Sequence, residues 1–148
     1  MGKLDYMINP ILMGGLIREI CGQMVKVHLH GRLGVITIPE KYILTDIKLA
    51  PGVELEFHFS YLKVEESGYD YDDCSIVNRD FSPCLIGGTI TEVNDTAIRA
   101  EIMDHLGYVA VPRRWVFTDV TLCEGQTVEF YLSPMRAVGK RRIPAAMI

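Results

Sequence analysis

The chain has 148 residues, 49% of them hydrophobic, with a formal net charge of −4. That length allows one ordinary domain or two small ones, and no apolar run is long enough to cross a membrane as a helix. Four cysteines (Cys21, Cys74, Cys84, Cys123) stand far apart with no C-x-x-C pair and read as reduced cytosolic thiols rather than a disulfide framework.

The charge is unevenly placed. Residues 65–82 carry one basic and six acidic side chains, whereas residues 1–64 carry seven and six and residues 83–148 carry seven of each. The acidity therefore sits in one stretch, and near-neutral flanks neither demand nor exclude a polyanionic partner.

Those flanks are two copies of one sequence. Pro10–Val64 aligns without a gap on Pro83–Ala137, with 16 of 55 positions identical. The shared positions include Gly14-Gly15 with Gly87-Gly88, Leu33-Gly34 with Leu106-Gly107, Pro39 with Pro112, Thr45-Asp46 with Thr118-Asp119, and Gly52 with Gly125. A repeat of this kind settles architecture before any local reading. Cys21 corresponds to Asn94 and Cys123 to Ala50, so no cysteine site is duplicated.

In chain order, each copy opens with a glycine-led segment, Gly15-x-Ile17-x-x-Ile20 and Gly88-x-Ile90-x-x-Val93. An apolar spacing of three is wrong for a flat strand and predicts a bulge or strong bend after the glycines. Next, Val25, Val27 and Leu29 alternate with Lys26, His28 and His30, as Ile98, Ala100 and Ile102 do with Arg99, Glu101 and Met103. That period of two is a half-buried strand. Turns at Gly31–Gly34 and Asp104–Gly107 lead to third strands with Ile36 and Ile38, or Val109 and Val111, on the core face. Pro39 and Pro112 end them.

Residues 40–49 fit either a short helix or a wound loop, with the Thr-Asp pair capping a turn through nearby backbone amides. Pro51-Gly52 then opens the strongest strand. Val53, Leu55, Phe57, Phe59 and Tyr61 are predicted inward, and Glu54, Glu56, His58 and Ser60 outward. The second copy places Val128, Phe130 and Leu132 inward against Thr127, Glu129, Tyr131 and Ser133. Neither copy shows a clear closing fifth strand. The acidic join leaves room for a short strand around Cys74–Val77, and Lys140-Arg141-Arg142 forms a basic tail.

Short strands with Gly and Pro punctuation define an all-β protein. The predicted architecture is two tandem, internally duplicated small β-barrels, OB- or SH3-like, related by a pseudo-twofold axis. Residues 1–66 form the first, 67–79 an acidic linker and 80–148 the second with its basic tail.

The order G-x-I-x-x-I, V-x-V-x-L, L-G-V-I-T-I-P-E and P-G-V-E-L-E-F, over residues 14–59 and 87–132, resembles the S-one type RNA-binding domain of the OB fold. Gly31-Arg32-Leu33-Gly34-Val35-Ile36-Thr37-Ile38-Pro39 with Gly52-Val53-Glu54-Leu55-Glu56-Phe57 also partly resembles the AbrB-type swapped-hairpin regulators. The first resemblance implies RNA as a ligand and the second a DNA-facing hairpin. The arginine-based signature of cyclic-dinucleotide PilZ domains is absent.

Candidate chemistry is sparse. His28-x-His30 has metal-chelating spacing with His58 as a further ligand, but Glu101, Met103 and Tyr131 replace them in the second copy. A solvated strand face is the commoner meaning, and no metal or other cofactor is assigned. The same stripe, Lys26, His28, His30 and Arg32, joined by Arg99, His105 and Tyr108, suits phosphates and unpaired bases. Arg113-Arg114-Trp115 offers a cation beside an indole, though aromatics after the proline (Tyr42, Trp115) are more often core plugs. The repeated carboxylates Glu19/Glu92 and Glu56/Glu129 fit structural pairing with Lys or Arg across strands better than acid–base catalysis.

No nucleophile elbow, phosphate-cradling loop or metal-spaced cluster is present, so an enzyme is not expected. The expectation is a non-catalytic, cytoplasmic binding or adaptor protein, with RNA or single-stranded nucleic acid as ligand. The alternatives are a protein–protein or assembly module, homo-oligomeric through strand edges and Trp115, and a small-ligand receptor with a pocket between the repeats.

Overall fold

A computed structural model describes residues 9–45, 47–65, 83–103, 106–118 and 120–140. The acidic linker, where a short strand around Cys74–Val77 is expected, and Asp46, Asp119, Asp104, His105 and the tail beyond Lys140 lie outside the described residues. The fold is all-β. The first repeat forms β1 (Ile11–Cys21), β2 (Met24–Leu29), β3 (Val35–Pro39), β4 (Ile43–Leu44), β5 (Val53–Phe59) and β6 (Leu62–Glu65). The second forms β7 (Cys84–Val93), β8 (Ala97–Ile102), β9 (Gly107–Pro112), β10 (Val116–Phe117), β11 (Thr127–Leu132) and β12 (Met135–Lys140).

Most local expectations match. The register of β1 on β2 slips between Ile17 and Glu19, and that of β7 on β8 between Ile90 and Glu92, so each glycine-led strand carries its bulge. The alternating residues of β2, β3, β8 and β9 point their apolar members into one buried cluster built from both repeats. The ambiguous 40–49 segment is a single 3-10 turn, Glu40–Tyr42, followed by the two-residue strand β4 and a loop. Thr45 Oγ1 accepts from the Ile47 amide at 3.0 Å, and Thr118 Oγ1 does the same for Val120.

The two repeats share one twelve-stranded sheet, ordered β10-β6-β11-β7-β8-β9-β3-β2-β1-β5-β12-β4, with a further β11–β5 pairing. Two of the junctions between them are centred on equivalent strands. At the first, β3 pairs antiparallel with β9 through Val35–Ala110, Ile36–Val109 and Thr37–Tyr108. At the second, Phe59 of β5 meets Leu132 of β11. Ile36 and Val109 are equivalent residues of the two repeats, as are Phe59 and Leu132, so both junctions are centred on self-equivalent pairs. The pairings thereby close a circuit of eight strands, β5-β1-β2-β3-β9-β8-β7-β11.

The fifth strand that the sequence did not reveal is present in both copies, but each repeat gives it to the other. β6 pairs with β11 and β10, and β12 with β5 and β4. The exchange explains why two predicted outward residues are buried. Ser60 and Ser133 are 0% and 1% exposed because the chains cross there. The Ser60 hydroxyl accepts from the Tyr131 amide and the Ser133 hydroxyl from the His58 amide, each at 2.8 Å. Tyr61, predicted inward, is half-buried and stacks on Trp115 with centroids 3.8 Å apart. Glu54 and Glu129 are buried as well. Glu56 pairs with Arg136 on the exchanged strand β12, the cross-strand role expected of that carboxylate.

The first junction depends on Gly34 and Gly107, at φ 109° and 153°. A Cβ at Gly34 would land on the Ala110 carbonyl oxygen, and one at Gly107 on the Thr37 carbonyl oxygen. Neither backbone can retreat without breaking the β3–β9 ladder. Gly34→Ala and Gly107→Ala are each expected to destabilise the protein by more than about 2 kcal/mol in urea unfolding. Ser60→Ala and Ser133→Ala, which leave a buried amide unsatisfied, are expected to cost about 1–3 kcal/mol each, readable in the same titration by Trp115 fluorescence.

Candidate functional site

The first junction brings several of the candidate residues onto one exposed face. Register pairs place Lys26, Thr37, Tyr108 and Glu101 in one row across β2, β3, β9 and β8. His28, Val35, Ala110 and Arg99 form the next row. Side chains directly opposite on neighbouring strands share a face, so the two rows make one surface. Lys26, Val35, Thr37, Arg99, Tyr108 and Ala110 line a hollow of about 320 Å³ there.

Lys26 on β2 and Arg99 on β8, equivalent residues of the two repeats, supply a cation on either side of the β3–β9 pair. Arg99 lies over the Tyr108 ring with its guanidinium carbon 4.4 Å from the centroid, a cation–π contact on a ring that is 37% exposed. Arg18 is exposed at the β1 bulge, and its charge acts on His28 of this face. His28 is half-buried. Burial first, then the charges of Arg18 and Lys26, holds its imidazole below the usual histidine value of 6.5. The site therefore combines an aromatic ring under a guanidinium, two cations and a half-buried histidine whose pKa lies below its usual value.

The remaining candidates stand elsewhere. His30 leaves the stripe and lays its ring across Gly14, where a Cβ would come 2.8 Å from Nδ1. Its Nε2 is buried with no hydrogen-bond partner among the described residues. Arg32 is exposed in a left-handed turn at φ 58°, and its carbonyl accepts from Arg114 Nη2 at 3.1 Å. Arg113 Nη1 donates to the Asn94 carbonyl at 2.9 Å. Trp115 is only 7% exposed, donates Nε1–H to the Ser60 carbonyl at 3.0 Å and stacks on Tyr61. It plugs the crossing of the exchanged strands, the core role that its position after the proline suggested. His105 lies outside the described residues.

Sequence reasoning did not single out Arg18, Val35, Thr37 and Ala110. The last three carry no chemical signature and become a site only through the β3–β9 pairing. Arg18 had one signal, its place in the predicted bulge. Among the described residues no three His, Cys, Asp or Glu side chains converge as metal ligands, and Cys21 and Cys123 are exposed thiols. No helix among them is long and apolar enough to cross a membrane.

A second hollow, about 410 Å³, lies on the β1–β5–β12 face between Leu12, Met13, Gly14, Glu54, Glu56 and Val138. Leu12 and Val138 are 56% and 50% exposed there. No family model matches this chain, and no curated protein matches it either.

The lowered pKa of His28 has a consequence for stability. The folded protein resists protonating His28 more than the unfolded chain does, so the stability present above 6.5 is lost as pH falls through the folded-state value. His28→Gln is expected to flatten that part of the acid-side decline in urea midpoint, measured at a series of pH values.

Proposed function

We propose that this chain is a non-catalytic nucleic-acid-binding protein and that its seam hollow takes single-stranded RNA. The observation that carries the reading is the grouping of Lys26, Arg99 and exposed Tyr108 around one hollow where β3 meets β9. Unpaired bases stack on aromatic rings and on guanidinium planes, while flanking cations neutralise phosphates. The seam offers both within one small surface, although the chain is acidic overall. We read the closed circuit of eight strands as one intertwined barrel in which the repeats cooperate. Its patterning is akin to the S-one type of OB domain, and its exchanged strands to the AbrB-type swapped hairpins. A cytoplasmic setting suits such a ligand and the exposed thiols of Cys21 and Cys123.

A second reading is favoured by a different observation. The exposed Leu12 and Val138 beside the second hollow would suit a protein partner or self-association.

Filter binding against a single-stranded oligoribonucleotide separates the two. With about three phosphates neutralised, the dissociation constant is expected to rise about 20-fold between 50 and 200 mM salt. The double variant Lys26→Glu/Arg99→Glu is expected to lose retention altogether. Salt-insensitive self-association in light scattering, with no RNA retained, would instead support the partner reading and be abolished by Leu12→Asp.

A further inference from the structure

The two halves of the seam differ in chemistry although their backbones are equivalent. The residues related by the repeat are Arg18 and Thr91, Lys26 and Arg99, His28 and Glu101, Val35 and Tyr108, Thr37 and Ala110. The first-repeat half thus holds Arg18, Lys26 and His28. The second half replaces two of these by a neutral hydroxyl and a carboxylate, and lays its remaining cation on the Tyr108 ring.

Groups facing His28 leave its side of the seam positive. Leu16 of β1 and Val35 of β3 stand opposite it and are neutral, while Arg18 and Lys26 both act on its charge. His30 is next on its own face of the chain but turns onto Gly14. Glu19, opposite Lys26, is exposed and therefore solvated. Glu54 lies one strand further out, opposite Leu16 on β5, and Glu101 belongs to the other half of the seam.

We propose that the first-repeat half of the seam, Arg18, Lys26 and His28, is a phosphate subsite and that Tyr108 with Arg99 is a base subsite. A single-stranded nucleic acid then lies along the seam with its backbone towards the first repeat and its bases towards the second. The assignment rests on the RNA reading above and adds an orientation to it. It also couples binding to a proton: phosphate beside His28 offsets the repulsion from Arg18 and Lys26, so the imidazole takes up a proton more readily and affinity rises as pH falls below neutral.

Two probes, a short oligouridylate and inorganic tripolyphosphate, test it by calorimetry on the full chain and on two variants at exposed positions. Arg18→Gln is expected to weaken both probes by similar factors. Tyr108→Ala is expected to weaken the oligouridylate by roughly 5- to 100-fold, the range for losing one stacked base, and tripolyphosphate far less. Histidine ring resonances in NMR are expected to show His28 titrating at higher pH with either probe bound. If Tyr108→Ala weakens both probes by the same factor, or Arg18→Gln leaves tripolyphosphate binding unchanged, or His28 does not move, the orientation is overturned while RNA binding at the seam stands. If neither probe binds at low salt, the RNA reading falls and the assignment with it.

Discussion

The structure depends on how closely two backbones approach at the β3–β9 junction. Gly34 and Gly107 each sit where a side-chain carbon would occupy the place of a carbonyl oxygen on the opposite strand. Everything at the seam follows from that contact. It sets the register that pairs Ile36 with its own repeat-mate Val109, and that register puts Lys26, Tyr108 and Arg99 on one outward face. A single slipped residue would turn those side chains into the core and the apolar row outward.

At the far side of the circuit the repeats are held by different physics. The strand crossing buries polar backbone, and the two serine hydroxyls satisfy it reciprocally, each taking an amide of the other repeat. Around this crossing an aromatic group assembles from both copies: Trp115 on Tyr61, Tyr61 on Phe117 at 4.5 Å, and Phe59 against Phe130 at 5.7 Å. One junction is therefore specified by the lack of side chains and the other by large rings over buried hydroxyls. The glycines of the first junction and the serines of the second are kept in both copies, whereas the rings around the crossing and most charged residues of the outward face differ between them, and the outward face is where the candidate chemistry resides.

How much was legible in the sequence divides along the same line. Local geometry was readable because it is written in local spacing. The bulges after Gly15 and Gly88, the alternation of β2 and β8, the proline stops and the Thr45 and Thr118 turns all rest on a few neighbouring residues. Strand exchange was not readable. Leu62–Glu65 and Met135–Lys140 are short, and what makes them strands is a partner in the other repeat. The burial of Ser60 was missed for the same reason, since alternation assigns a face but cannot say that another chain segment crosses it. Of the candidate site, Lys26, Arg99 and Tyr108 were found by residue type. Their convergence, and the departure of His30 and Trp115 from the surface, needed the β3–β9 register and the crossing.

The exchanged strands also set a timetable for the chain as it is made. β6 pairs with β11, whose paired residues begin at Thr127, about 60 residues after Glu65. At synthesis rates of roughly 5–20 residues per second, the first half waits about 3–12 s with the edges of β5 and β6 unpaired. Such edges invite the wrong strand. The acidic stretch at residues 65–82 directly follows β6, so the waiting edge emerges with a run of like charge attached. Like charge on neighbouring nascent chains repels, which gives the otherwise unremarkable join a part in keeping the exchange within one molecule.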